Sequence, residues 1–361
     1  MSKENLDLKE DIKNFQISLK SHIKSFKKRL IEPGNIQFIP ESFFHTTGDD
    51  IESYIKEASL EENFDYFLSK RNELIYKTCC DASLPLSSSK LFRFLHLRIF
   101  SIILESASQA CRRKHPIEVC FHLRSFLEHA ANFSYALDEI IPASKELLIN
   151  INEENIMPVL GVANSGGLFP TSEFEELSSR LHKKFALYSY QTNIDVEQLI
   201  KGKESLSLVP DKDYPMKSIS IRKKLEAFNK RNPILQPIYD YLSEYIHPNR
   251  YIFTSASSEG SLESLSEENP YISFEDLKLE DGMSEIGFFF QESHRLFLQK
   301  ITVEILERDS EFFSLQGKIS KKMKASFKKV MNYNKFYSDP FYSQTPCVCR
   351  SKKKLIDCCA S

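Results

Sequence analysis

The spacing of apolar residues constrains this chain more than any other feature: it steps by three and four over long stretches, and alternation is hard to find anywhere. Between about Asp7 and Leu30 the apolar residues are Leu8, Ile12, Phe15, Leu19, Ile23, Phe26 and Leu30, and Pro33-Gly34 ends the pattern. Such spacing puts one stripe on a 3.6-residue helix and leaves a lysine-rich opposite face. Similar blocks run from Ile51 to Tyr76, from Ile234 to Ile246 and from Ser284 to Leu306. Ser87-Ser88-Ser89 is placed to cap a helix reaching about Arg113, and its apolar residues go nearly all round, as in a central helix. Pro116 suits the first turn of the next helix. Ser172 followed by Glu175 makes a capping box for a helix to Tyr190. The expected fold class is all-α.

The chain has 361 residues, 41% of them apolar, with 28 Phe, 15 Tyr and no Trp. That is enough for one large domain and a small appendage. A net charge of −2 gives no whole-molecule field, so charge has to be read locally. The most apolar run, Leu91 to Leu104, is interrupted by Arg93, His96 and Arg98 and is shorter than the roughly 20 residues of a membrane span. The first residues are charged and lack an apolar leader segment. A soluble cytoplasmic protein without membrane contact is the expectation.

The chain divides by pattern into an N-terminal helical region (1–85), a helical body (86–336), a linker (337–346) containing Pro340, and a cysteine-rich tail (347–361). Within the body, 255–269 is rich in Ser and Glu and reads as a mobile acidic loop. From Lys318 to Lys335 the sign reverses, with seven lysines and no acidic residue. Lys321, Lys322, Lys328 and Lys329 form a candidate basic patch for a phosphate backbone, against the plainer reading of a solvated helix face.

Four of the eight cysteines lie in the tail: Cys347-Val348-Cys349, eight residues, then Cys358-Cys359. A Cys-x-Cys pair can occupy one edge of a tetrahedron, and eight residues suffice to bring a second pair to the opposite edge. The thiolates of Cys347, Cys349, Cys358 and Cys359 are therefore expected to hold one structural Zn²⁺, whose binding supplies the folding energy that so short a segment lacks. Lys352, Lys353 and Lys354 offset part of the resulting negative charge. The tail resembles the SEC-C motif, usually Cys-Pro-Cys-Gly-Ser-Gly-Lys-Lys, three residues, then Cys-Cys or Cys-His. Cys347, Cys349, Ser351, Lys353, Lys354, Cys358 and Cys359 fall on matching positions. Val348, Arg350, Lys352 and Leu355 replace the usual proline, the two glycines and the aromatic. The resemblance implies a knuckle that docks onto chaperones, ribosomes or other proteins, and with its basic approach the expected partner is a protein or ribosomal RNA. A closed four-sulfur site has no open position for a reactive water.

Two polar strings interrupt the apolar body. Arg124 and Glu128 are four apart in one helix, and Ser243 and His247 are four apart in another, beside apolar positions that point both pairs partly inward. Inward charges need partners, so one network joining Arg124, Glu128, Ser243 and His247 is the economical expectation. From Leu91 to Arg250 this pattern resembles a HEPN-like bacterial family. The resemblance implies a helical bundle and, as an alternative function, a metal-independent ribonuclease in a toxin or phage-defence role. Arg124-Ser125-x-x-x-His129 matches that family's catalytic string, with Arg124 stabilising phosphate charge and His129 moving a proton. Five residues of straight helix set Arg124 and His129 about 140° apart, so convergence needs a helix break or a second subunit. The oligomeric state is open, a dimer included.

Other signals point to structure. Gly161 to Gly167 lacks the lysine and the preceding strand of a phosphate loop. Cys79-Cys80 reads as part of a helix end. His115 and His122 share a helix face with no further metal ligand at hand.

Overall fold

The computed structural model describes residues 3–31, 72–156 (without 73, 74, 77, 81 and 114), 172–189, 220–244 (without 234), 292–333 and 344–361 (without 350, 352 and 360). Among these the chain is all-α. The helices are α1 (Lys3–Ile31), α2 (Leu84–Arg112), α3 (Pro116–Asn150), α4 (Glu153–Ile156), α5 (Ser172–Ser189), α6 (Ile221–Arg231), α7 (Leu235–Glu244) and α8 (Glu292–Tyr333). The one β-bridge among the described residues pairs Pro346 with Lys354. None of the described helices is long and apolar enough to cross a membrane.

Contacts divide the chain into two units. The first comprises 1–32, 94–135 and 217–309, and the second 33–93, 136–216 and 310–361. In the first, the α1 stripe buries Phe15, Leu19, Ile23 and Phe26. Phe26 stacks on Phe100 of α2 with centroids 5.2 Å apart, and Phe126 of α3 meets both rings edge-on. Burying such rings contributes several kcal/mol each, beyond what the helix backbone can supply alone. At the rim Lys27 pairs with Glu105.

In the second unit the rings of Phe92, Phe185 and Phe312 form a triangle with centroid separations of 5.7–5.9 Å. Helix α5 brings Phe174, Leu177, Leu181 and Phe185 inward, and Arg180 and Lys184 on its outer side pair with Glu146 and Glu139 of α3. The Ser88 hydroxyl meets Nδ1 of His182 at 2.7 Å.

Local details depart from the sequence pattern in two places. Helix α2 begins at Leu84, so Ser88 and Ser89 lie inside it and donate to the carbonyls of Leu84 and Leu86. It is also not enclosed all round, because Phe94, Ile99 and Ile102 remain about two-fifths exposed. Helix α8 joins the sequence's late apolar block to the lysine run in one element of 42 residues, passing through Gly317, whose surroundings are open.

Candidate metal centre and polar clusters

The tail builds its site with very little backbone. Beside the Pro346–Lys354 bridge, the Cys347 amide donates to the Lys353 carbonyl at 3.0 Å and the Leu355 amide to Thr345 at 2.8 Å. These bonds close the excursion between the cysteine pairs. A turn then follows, in which the amides of Asp357 and Cys358 donate to Lys354 and Leu355. Val348 and Leu355 are fully buried and fill the space inside the turn.

Cys347, Cys349, Cys358 and Cys359 are all buried, and their sulfurs lie within 4.8 Å of one another. Cys347 and Cys349 are 3.4 Å apart at sulfur, and Cys349 and Cys358 are 3.5 Å apart. A tetrahedron with 2.3 Å metal–sulfur bonds has edges of about 3.8 Å, so the donor set fits a four-coordinate thiophilic metal. Proton sharing points the same way. Donation from Cys347, then from Cys359, holds the Cys349 thiol far below its usual range, while Cys347 and Cys359 are pushed up. One sulfur can be anionic at its neighbours' expense, whereas a divalent cation makes four thiolates compatible.

Two elements outside the tail hold it. The Tyr76 hydroxyl donates to the Pro346 carbonyl at 2.8 Å, and burial, with Cys80 nearby, pushes the phenol above its usual range. On α8 the Lys324 carbonyl lies 4.0 Å from the Cys359 sulfur. Thiolate charge on Cys358 and Cys349 raises the Lys324 ammonium.

The body's polar residues assemble differently from the expected network. Arg124 Nε donates to Glu128 at 3.0 Å, and its Nη2 donates to the Tyr239 hydroxyl at 3.1 Å. That hydroxyl in turn donates to Glu128 at 2.9 Å. The Arg124 guanidinium also lies over the Tyr239 ring, 5.1 Å from its centre. The Ser243 hydroxyl donates to the Tyr239 carbonyl at 2.7 Å, and His247 lies outside the described residues. The partner is therefore Tyr239, one turn before Ser243. Its ring gives it an apolar position in the helical pattern, and its hydroxyl gives the sequence's only hint.

His129 is not beside Arg124. It stacks on His96 of α2 with centroids 4.9 Å apart, Nε2 meets His96 Nδ1 at 3.1 Å, and Phe100 packs edge-on at 4.7 Å. Burial and then the neighbouring His96 hold the His129 imidazole well below the usual histidine range. His96 registers in sequence only as an interruption of an apolar run.

Lys322 Nζ donates to the carbonyls of Leu148 and Ile149 at the end of α3, and Lys329 pairs with Glu153 at 2.6 Å. Lys321 and Lys328 are exposed. His122 lies 3.7 Å from Glu118, and Cys79 and Cys80 close a helical turn by accepting from the Ser83 amide. The glycine-rich loop and the acidic 255–269 segment lie outside the described residues. A scan of family models and searches of curated proteins and of solved structures find no match to this chain.

Proposed function

We propose that this chain is a zinc-binding docking protein, in which a SEC-C-like knuckle with one structural Zn²⁺ is presented by a HEPN-like helical body. One observation carries the reading: four buried cysteine sulfurs from two ends of a thirteen-residue stretch lie within 4.8 Å of one another. Zinc suits four thiolates without redox chemistry, and a site closed by four protein ligands supports shape rather than reaction. Exposed Lys321, Lys328, Lys353 and Lys354 give the tail and its helix a basic surface for an anionic partner, protein or ribosomal RNA.

A ribonuclease reading of the body requires Arg124 and His129 on one phosphate. Arg124 is engaged by Glu128 and Tyr239, and His129 by His96, so their placement supports the docking reading instead. Elemental analysis of purified protein is expected to give about one zinc per chain. The Cys358→Ser, Cys359→Ser double variant is expected to lose it and, with it, association with ribosomal or protein complexes in a gradient. Metal-replete protein free of zinc sinks the proposal.

A further inference from the structure

The ladder that closes the tail leaves one backbone group facing outward. The Cys347 amide bonds the Lys353 carbonyl and the Leu355 amide bonds Thr345, on either side of the Pro346–Lys354 bridge. In that pattern the Thr345 carbonyl and the Cys347 amide face the returning limb, and the Pro346 carbonyl points away from it. Proline has no N–H, so this carbonyl is the residue's only main-chain polar group. The Tyr76 hydroxyl donates to it at 2.8 Å, from 270 residues earlier in the chain. Tyr76 is 1% exposed, and Ile75, Cys79 and Cys80 beside it are fully buried. Packing therefore holds the ring, and its hydroxyl meets the residue immediately before the first cysteine of the cluster. The last cysteine is also met from the body, with the Lys324 carbonyl of α8 at 4.0 Å from its sulfur.

So short a segment has too little apolar area to order itself, and its ligands take their geometry from the ion and from whatever stands behind them. Groups that orient metal ligands from outside are worth about 10- to 100-fold in metal affinity. We infer that Tyr76, a residue far outside the cysteine motif, is a positioning residue of the metal centre: its hydroxyl fixes the entry of the chain into Cys347 and latches the metal-loaded tail to the helical body. This rests on the metal reading of the four cysteines. The coupling is reciprocal, so the ion stabilises the body through Tyr76 only while the tail is ordered.

The test is chelator competition for zinc on the full chain, with melting curves of loaded and metal-free protein, for wild type, Tyr76→Phe and a Tyr239→Phe control. Tyr76→Phe keeps the buried ring and removes only the hydroxyl. It is expected to lower zinc affinity by about tenfold. Loaded Tyr76→Phe melts below loaded wild type, whereas the metal-free forms melt together, because the contact needs the ion to order the tail. Tyr239→Phe removes a bonded hydroxyl from the other contact unit and leaves zinc affinity unchanged. Equal affinity for wild type and Tyr76→Phe overturns the inference and leaves the metal reading intact. So does a metal-free Tyr76→Phe that melts as far below wild type as the loaded form does, which would make the hydroxyl a plain structural contact. An equal affinity loss in Tyr239→Phe also overturns it, as a general effect of destabilisation. A wild-type chain that takes up no zinc overturns both readings.

Discussion

The tail and the helical body handle polar groups in opposite ways. In the tail, four buried sulfurs crowd within 4.8 Å of one another, and their mutual contacts push the Cys349 thiol down while those of Cys347 and Cys359 go up. In the first contact unit, Arg124, Glu128 and Tyr239 meet donor to acceptor, and the two ring nitrogens of the His96–His129 pair face each other at bonding distance. The first arrangement is compatible with a bound metal ion, whereas the second closes its bonds as folded. A buried cluster of like metal-ligating groups is a better pointer to a binding site than a cluster of unlike groups whose bonds already close.

The largest test of this contrast is metal removal. Structural zinc in small peptides contributes on the order of 10 kcal/mol of folding free energy. A strong chelator should therefore expose the tail, with loss of amide protection at Cys347, Leu355 and Cys358 by hydrogen exchange. Full protection in the chelated protein would place the tail's stability in its packing.

A smaller effect belongs to the histidine pair. His129 is held neutral in the fold, so below about pH 6.5 the unfolded chain binds a proton that the folded chain refuses. The unfolded state then has more bound protons, and stability falls as pH drops, by up to about 1.4 kcal/mol per pH unit until the folded group titrates. Urea unfolding between pH 7.5 and 5.5 should show this slope for wild type and a shallower one for His129→Phe. Parallel slopes would break the assignment.

Tyr239→Phe removes one hydroxyl that both accepts from Arg124 and donates to Glu128, while their direct ion pair survives. The site is half-buried, so a cost of about 1 kcal/mol is expected from denaturant midpoints. Arg124→Met should cost about 1–2 kcal/mol, less than a sealed network would, because water reaches both charged partners. The smallest effect is at the basic helix: Lys329→Met loses an exposed ion pair to Glu153 and should change stability by about 0.5 kcal/mol or less. A larger loss would show that the lysine run is fastened to the body more firmly than its exposure indicates.

The cysteine site was legible in sequence because its determinants are local. Two pairs at fixed spacing must meet if the short segment between them turns back, and the Pro346–Lys354 bridge makes that turn. The all-α class was legible for a related reason, since the period of three and four is a property of each helix by itself. Helix limits were less so: serines able to cap α2 instead lie inside it, because burial of residues upstream carries the helix back to Leu84.

Pairing across elements was decided by tertiary structure alone. Arg124 required a partner, yet nothing in the chain distinguished Tyr239, 115 residues away, from Ser243 one turn later. Which of the two turns toward α3 depends on how α7 is rotated. Lys324 had the same composition cue as six other lysines, and only the course of α8 brings its carbonyl within 4.0 Å of the Cys359 sulfur. The sequence by itself determined which groups need neighbours, because charge, thiol chemistry and helical period belong to residues and short segments. The choice of neighbour is a matter of distance and orientation between segments far apart in the chain, and packing sets both.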